Sequence, residues 1–423
     1  MKSETTALER KWIWYDVGNS AFTMLTATLL PIFFHTLAGN AGISETEYLA
    51  YWAYATSVVT VLVAVLGPTL GSLSDLRGVK GKFFLGSVLV GTVSCVLLGF
   101  AVHWIWFLLV FVLAKTAYQL SLVIYDSMLC DITTEKRMDE VPAKGYAWGY
   151  IGSCVPFVAT VIVYVLYAML GLLPLVAASA LGCAITALWW LGWSLPLWKS
   201  YRQTHYVSGR ERPVREGLRN LGGVFTELAA NRKALWFLVA FFFFIDGVYT
   251  IIDMATSYGT SLGLDTVGLL AALLVTQVVA FPSALLFGRL SRRIASERLI
   301  TVCIAAYFAV TVYAAFMTHL YQFWILAIVV GLFQGSIQSL ARSYFAKIIP
   351  REKSGEYFGI YDIFGKGASF TGTLLVGLVT QLTGSQNIGV GVLSLMFPVG
   401  LLFFLVSVRA PGQSDRPGPM REA

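Results

Sequence analysis

Asp246, Tyr249 and Asp253 recur at spacings of three and four residues inside FFFFIDGVYTIIDMAT, a run that is otherwise almost wholly apolar. In a helix such spacing puts all three on one face. Two carboxylates and a phenol on an apolar helix can hold a proton or a cation, or hydrogen-bond a polar solute. A second stripe carries Lys115, Gln119, Leu122 and Asp126, and a third carries Gln334, Gln338 and Arg342 at i, i+4 and i+8. Asp362 and Lys366 stand one helical turn apart, and Asp16 and Asn19 open the apolar run WYDVGNSAFTMLTATLLPIFF.

The elements that must position these groups are membrane helices. With 57% hydrophobic and 13% charged residues among 423 and a mean hydropathy of +0.72, the chain is too apolar for a soluble protein. Twelve windows reach the roughly 20 apolar residues a span needs: 17–38, 48–71, 83–102, 104–128, 146–169, 173–196, 234–257, 266–288, 299–317, 320–343, 357–382 and 387–408. A formal charge of +7 invites nucleic acid as a partner, but the placement of the 30 Lys and Arg points to a membrane. They crowd into alternate loops, and the intervening loops near 39–47, 103, 170–172, 258–265, 318–319 and 383–386 carry none. By the positive-inside rule both termini lie in the cytoplasm and the number of spans is even. Compact loops and short tails suit a bacterial inner membrane. The first apolar run is too long for a signal peptide and is read as helix 1. Cys95, Cys130, Cys154, Cys183 and Cys303 lack paired or metal-binding spacing and read as packing residues.

The longest basic loop divides the chain into an N-terminal six-helix bundle (1–197), a cytoplasmic linker (198–233) and a C-terminal six-helix bundle with a short tail (234–423). Within the linker Val214, Leu218, Leu221, Phe225 and Leu228 recur at helical spacing, which suits either a surface helix on the membrane or a plain connection. The halves read as repeats. GSLSD at 71–75 lies over GRLSR at 288–292; YDSMLCDI at 125–132 lies over ARSYFAKI at 341–348, so that Asp126 meets Arg342 and Asp131 meets Lys347; KGYAWGY at 144–150 lies over SGEYFGI at 354–360.

GSLSDLRGVK at 71–80 resembles the loop signature of the major facilitator superfamily, keeping Gly71, Asp75, Gly78 and Lys80 but carrying Leu76 and Val79 where basic residues are usual. YDVGNSAF (15–22), KGYAWGYIG (144–152), DGVYTII (246–252), FQGSIQSLARSYFAKIIP (333–350) and GEYFGIYDIFGK (355–366) are similar to the branch that includes vacuolar amino-acid effluxers associated with autophagy. The resemblance implies an all-α membrane fold of twelve helices in two six-helix bundles, with helices 1, 4, 7 and 10 lining a central cavity. It also implies a monomer that moves a small-molecule substrate by alternating access, with amino-acid efflux the family-led expectation.

A charge at bilayer depth costs about 2.5–3.5 kcal/mol or more, so such residues face a partner or water. The expected substrate and coupling cavity comprises Asn19, Lys115, Gln119, Asp246, Tyr249, Asp253, Gln334 and Gln338. Asp246 is expected to couple flux to protons, with a permanent Asp246–Lys115 pair between bundles as the structural alternative. Asp16, Asp75, Arg77, Asp126 and Arg342 are expected to form a cytoplasmic gate, and Asp362 and Lys366 a structural pair. For Asp16 an interfacial helix-end carboxylate in water is equally open. No cofactor or metal is expected. GTSLG at 259–263 matches a nucleophile-elbow pattern by chance, since it follows no strand, and His35, His103, His205 and His319 are scattered, so no enzyme is expected. Lipid or lysolipid transport, and a receptor or scaffold that no longer transports, are the alternatives.

Overall fold

The structure is a computed structural model that describes residues 5–168, 170–208, 221–261, 266–317 and 319–411. Its regular elements are helices: α1 Ala7–Asn40, α2 Glu45–Ser74, α3 Lys80–Gly99, α4 Trp104–Ile132, α5 Glu140–Ala168, α6 Leu175–Ser200, α7 Arg232–Ser261, α8 Thr266–Leu290, α9 Ser296–Ala315, α10 Leu320–Ile348, α11 Ser354–Thr383 and α12 Met396–Arg409. A short helix, Gln386–Val392, and one 3₁₀ turn lead into α12. Eleven helices among the described residues are long and apolar enough to cross a membrane. The remaining expected span is α11, of which Thr371–Thr383 is apolar.

Local chemistry sets the ends. Thr6 and Glu9 form a reciprocal capping box at the start of α1, and Ser44 and Glu47 do the same for α2. Glu47 lies outside the span, and hydrogen bonds from Ser44 lower its pKa. Gly384 closes α11 in the left-handed conformation at φ 67°, which suits glycine. Pro31, Pro68, Pro156 and Pro282 lie inside helices.

The expected linker does not leave the first bundle at once. Residues 201–207 fold back along the α2–α3 turn: the Val207 amide donates to the Asp75 carbonyl at 2.9 Å, and Gln203 Oε1 accepts from the Gly78 amide at 2.9 Å. Asp131, at the end of α4, accepts from the amides of Thr204 and His205 at 3.2 and 2.8 Å. Val214 and Leu218 lie outside the described residues. A ten-residue helix, Leu221–Ala230, follows with Leu228 buried, and Asn231 donates to the Ile348 carbonyl at 3.1 Å.

Two helix pairs carry the seam between the bundles, α2 against α11 and α5 against α8. At the first, backbone touches backbone: a Cβ on Gly71 would lie 2.2 Å from the Gly355 carbonyl oxygen, and one on Gly355 would lie 2.4 Å from that of Gly71. Small residues let helices approach in this way.

Candidate functional site

Polar side chains gather at two levels: the end bearing the basic loops, and the middle of the bundles.

At the basic end Arg342 leaves α10 and enters the opposite bundle. Its Nε is 3.0 Å from Asp126 Oδ1 on α4 and its Nη1 is 3.8 Å from Asp16 Oδ2 on α1. Nη2 donates to the Tyr146 hydroxyl on α5 at 3.0 Å. The guanidinium also lies over the rings of Tyr146, Tyr125 and Trp12, at 4.7, 5.6 and 5.9 Å from their centroids. That cage is rigid: Trp12 and Tyr125 stack at 4.2 Å, and each donates to the other's backbone carbonyl at 3.1 Å. Asn19 Nδ2 donates to Asp16 Oδ1 at 3.1 Å and holds the carboxylate toward the arginine. Asp16 and Asn19 are 5% and 4% exposed, so the solvated helix-end alternative for Asp16 does not hold.

Two further contacts flank this cage. Asp75 accepts from the amides of Gly355 and Glu356, both at 2.9 Å, where α11 begins and its free N–H groups favour an anion. Lys80 lies 3.1 Å from the same carboxylate and donates to Ser354 Oγ at 2.8 Å. Asp75 lies just beyond the span of α2. Burial is the largest influence on it and raises its pKa, against Lys80 and the two amides. On the other flank Arg292 Nε donates to Glu140 Oε2 at 2.9 Å. Asp139 accepts from Ser296 Oγ at 2.8 Å and pairs with Lys347 at 2.5 Å.

Arg77 stands apart from this cluster. It is exposed and lies over the Tyr206 ring at 5.5 Å, within its own bundle. The cation of that loop that meets Asp75 is the fully buried Lys80, which also reaches Ser354 at the start of α11.

In the middle of the molecule Asp246 on α7 is 0% exposed. Its Oδ1 accepts from the Gly372 amide of α11 at 2.9 Å and from Thr250 Oγ1 at 3.2 Å. Its Oδ2 has no hydrogen-bond partner, and no cation lies within 4.0 Å, among the described residues. The Asp246–Lys115 pair, the structural alternative, does not form: the Lys115 ammonium donates to Thr26 Oγ1 on α1 at 3.3 Å and lies over the Tyr118 ring at 5.5 Å. One turn further along α4, Gln119 is half-buried with Oε1 lacking a described partner. Tyr118 donates toward Asn19 Oδ1 at 3.5 Å, so Asn19 lies between Asp16 on one side and the ring beneath Lys115 on the other.

Thr250 and Gln334 also line a mostly apolar cavity of about 90 Å³ among α7, α8, α9 and α10, with Gln277, Leu326 and Val330. Tyr249 and Gln338 are half-buried. The side chains of Asp253 and Lys366 lie outside the described residues, as do residues 262 and 263 of GTSLG, so the Asp362–Lys366 pair falls there as well.

Several functional-looking residues escape a spacing analysis: Tyr146, Asp139, Glu140, Arg292 and Gly372. For Asp139 and Glu140 one signal exists, an adjacent acid pair immediately before an apolar window. Gly372 has none, because what matters is its backbone amide.

Residues 5–415 match the family model described as "Vacuole effluxer Atg22 like". The chain is 40% identical over 407 residues to the MFS-type transporter YxiO of Bacillus subtilis, covering 95% of each protein. It is 29% identical over 215 residues to autophagy-related protein 22 of Eremothecium gossypii, a match spanning 46% of this chain and 42% of that one. Among solved structures it superimposes on the E. coli fucose:proton symporter FucP with a TM-score of 0.72 at 15% identity, covering 96% and 98% of the two chains. A bacterial homologue of the iron transporter ferroportin, in an outward-facing state, gives 0.73 at 13%, covering 96% and 100%. These last two establish the fold alone, twelve helices in two bundles; the family model and YxiO are those of transporters, not enzymes. With the family model and a full-length relative in agreement, the chain belongs to the Atg22-like family of major facilitator transporters.

Proposed function

We propose that this transporter exports a small polar or zwitterionic solute, amino acids first, across a bacterial plasma membrane, with flux coupled to protons at Asp246. Its basic loops and both termini face the cytoplasm, residues 1–197 and 234–423 rock against each other about the linker 198–233, and a monomer suffices.

The observation that carries the coupling is Asp246 itself. It is fully buried, one of its oxygens lacks a described partner, and no described cation faces it. An ionised carboxylate at this depth needs a counter-charge, and a proton is the smallest that can arrive. Efflux is supported by the family description. Contacts of Arg342, Asp75 and Asp139 between the bundles at the basic end support reading this conformation as shut there.

The test is solute counterflow in proteoliposomes with a labelled amino-acid mixture, with and without an imposed pH gradient, comparing the wild type with Asp246→Asn. Exchange that responds to pH in the wild type and loses that response in the variant is the expected result. An unchanged response in the variant removes Asp246 as the coupling site. No exchange from folded protein removes amino acids.

A further inference from the structure

A groove of about 420 Å³ opens on the outer face of the first bundle, between α2, α3 and α4. Its walls are apolar, with Leu66 and Leu70 from α2, Val90 from α3, and Leu113 and Leu120 from α4. Its floor is small: Gly86 is exposed, and a Cβ there would meet nothing within 4 Å. Three polar residues, Lys82, Ser87 and Thr116, break the apolar lining. Lys82, the third residue of α3, is exposed at the basic end, and no carboxylate lies within 4.0 Å of it among the described residues. Thr116 is 6% exposed, and its hydroxyl has no described hydrogen-bond partner. A helix threonine ordinarily returns its hydroxyl to a carbonyl one turn back.

We propose that this groove is a binding site for an anionic phospholipid, with the phosphate at Lys82 and one acyl chain along α3 between Leu70 and Leu113. Depth supports this occupant. Lys82 stands where headgroups lie, and eight residues of helix from there to Val90 carry the groove about 12 Å toward the membrane interior. A free anion would find Lys82 alone and no use for the apolar walls. A zwitterionic lipid would fill the walls but lose the charge match, and a basic pocket between membrane helices selects anionic headgroups for that reason. The site is separate from the Arg342 cage and from the Asp246 cavity, and it requires only that the chain spans a bilayer.

The experiment is native mass spectrometry of the purified transporter titrated with phosphatidylglycerol or with phosphatidylcholine of the same acyl chains, with a thermal-shift arm using inorganic phosphate. One phosphatidylglycerol should be retained in preference by roughly fivefold, the size expected for one cation near a lipid surface. Lys82→Gln should abolish the preference but leave the apolar binding. Gly86→Leu, whose Cβ would meet nothing within 4 Å and which favours the helix, should remove both. Inorganic phosphate should give no thermal shift. Equal retention of the two lipids by the wild type, a preference that survives either substitution, or stabilisation by inorganic phosphate alone would each overturn the proposal. Because Lys82 is exposed and Gly86 faces open space, both variants keep the packing of the bundle.

Discussion

Asp126 and Arg342 occupy matching positions in the two internal repeats, and their side chains meet across the seam at 3.0 Å. A contact between matching positions lies close to the pseudo-twofold axis that relates the halves. Exchanging the two residues should therefore rebuild the pair with its direction reversed.

Breaking one partner of a buried pair costs roughly 3–5 kcal/mol, and about 2.8 kcal/mol already moves a two-state equilibrium some 100-fold. Arg342→Gln should open the basic end. Cys130 reports this natively: it is buried, with its Sγ 3.9 Å from the Ala346 carbonyl of the other bundle. In a variant keeping only this cysteine, maleimide labelling should accelerate by roughly 100-fold or more on Arg342→Gln and slow again in the Asp126→Arg, Arg342→Asp exchange. An unchanged rate in Arg342→Gln would mean that the pair does not hold this end shut.

Gly71→Val should prevent closure by a different route. The new Cβ would lie 2.2 Å from a backbone oxygen of α11, which has no flexible end to yield. Faster Cys130 labelling and loss of exchange, with the helical circular dichroism preserved, are expected. Normal exchange would show that the seam tolerates a wider spacing.

The two acids at the start of α5 should differ in weight. Arg292, opposite Glu140, has a side chain 43% exposed, and pairs in such settings contribute about 1 kcal/mol or less. Asp139 is 8% exposed and holds Ser296, Ser343 and Lys347 together. Asp139→Asn should accelerate labelling more than Glu140→Gln, and the reverse order would contradict the burial argument.

Asp75 gives the closed state a pH dependence of definite sign. Its pKa is raised in the latched conformation, so that conformation takes up a proton more readily than one in which Asp75 meets water. Its contribution to closure is therefore fully present below the ordinary carboxylate range and is lost as pH rises through the raised value. Cys130 labelling, corrected for thiolate formation with a free-thiol standard, should rise with pH in the wild type and respond less in Asp75→Asn. A corrected rate that falls as pH rises would reverse the assignment.

Gly372→Ala tests the support of Asp246. A Cβ there would lie 2.5 Å from Asp246 Oδ1 and 2.3 Å from Thr250 Oγ1, so the carboxylate must move. Loss of the pH response of exchange, with substrate binding retained, is the expected outcome in the counterflow assay; a normal response would dissociate this contact from coupling.

Much of the fold is legible in the chain because each helix carries its own apolar window. The ends are less so: α1 begins at Ala7, well before the window at 17–38, since a capping box starts it and its first turns, with Glu9 and Trp12 buried, pack against the rest of the bundle. Repeat spacing places Asp126 opposite Arg342, but the aromatic cage around that arginine depends on tertiary contacts between Trp12, Tyr125 and Tyr146, more than a hundred residues apart at the extremes. The choice of Lys80 over Arg77 turns on which way a three-residue difference faces at a turn. Spacing likewise brings Lys115 and Asp246 to similar depth, whereas the structure gives Asp246 to a glycine amide.

Every described ion pair across the seam runs the same way. Arg292, Arg342, Lys347 and Arg351 belong to the second half, and Glu140, Asp16, Asp126, Asp139 and Glu135 to the first. A duplicated protein whose halves once met as equals would have a self-complementary join, but this join is heterologous. Two first halves would set acid against acid, and two second halves base against base. The repeats have become obligate opposites, so separately expressed halves should assemble one to one and refuse to pair with themselves.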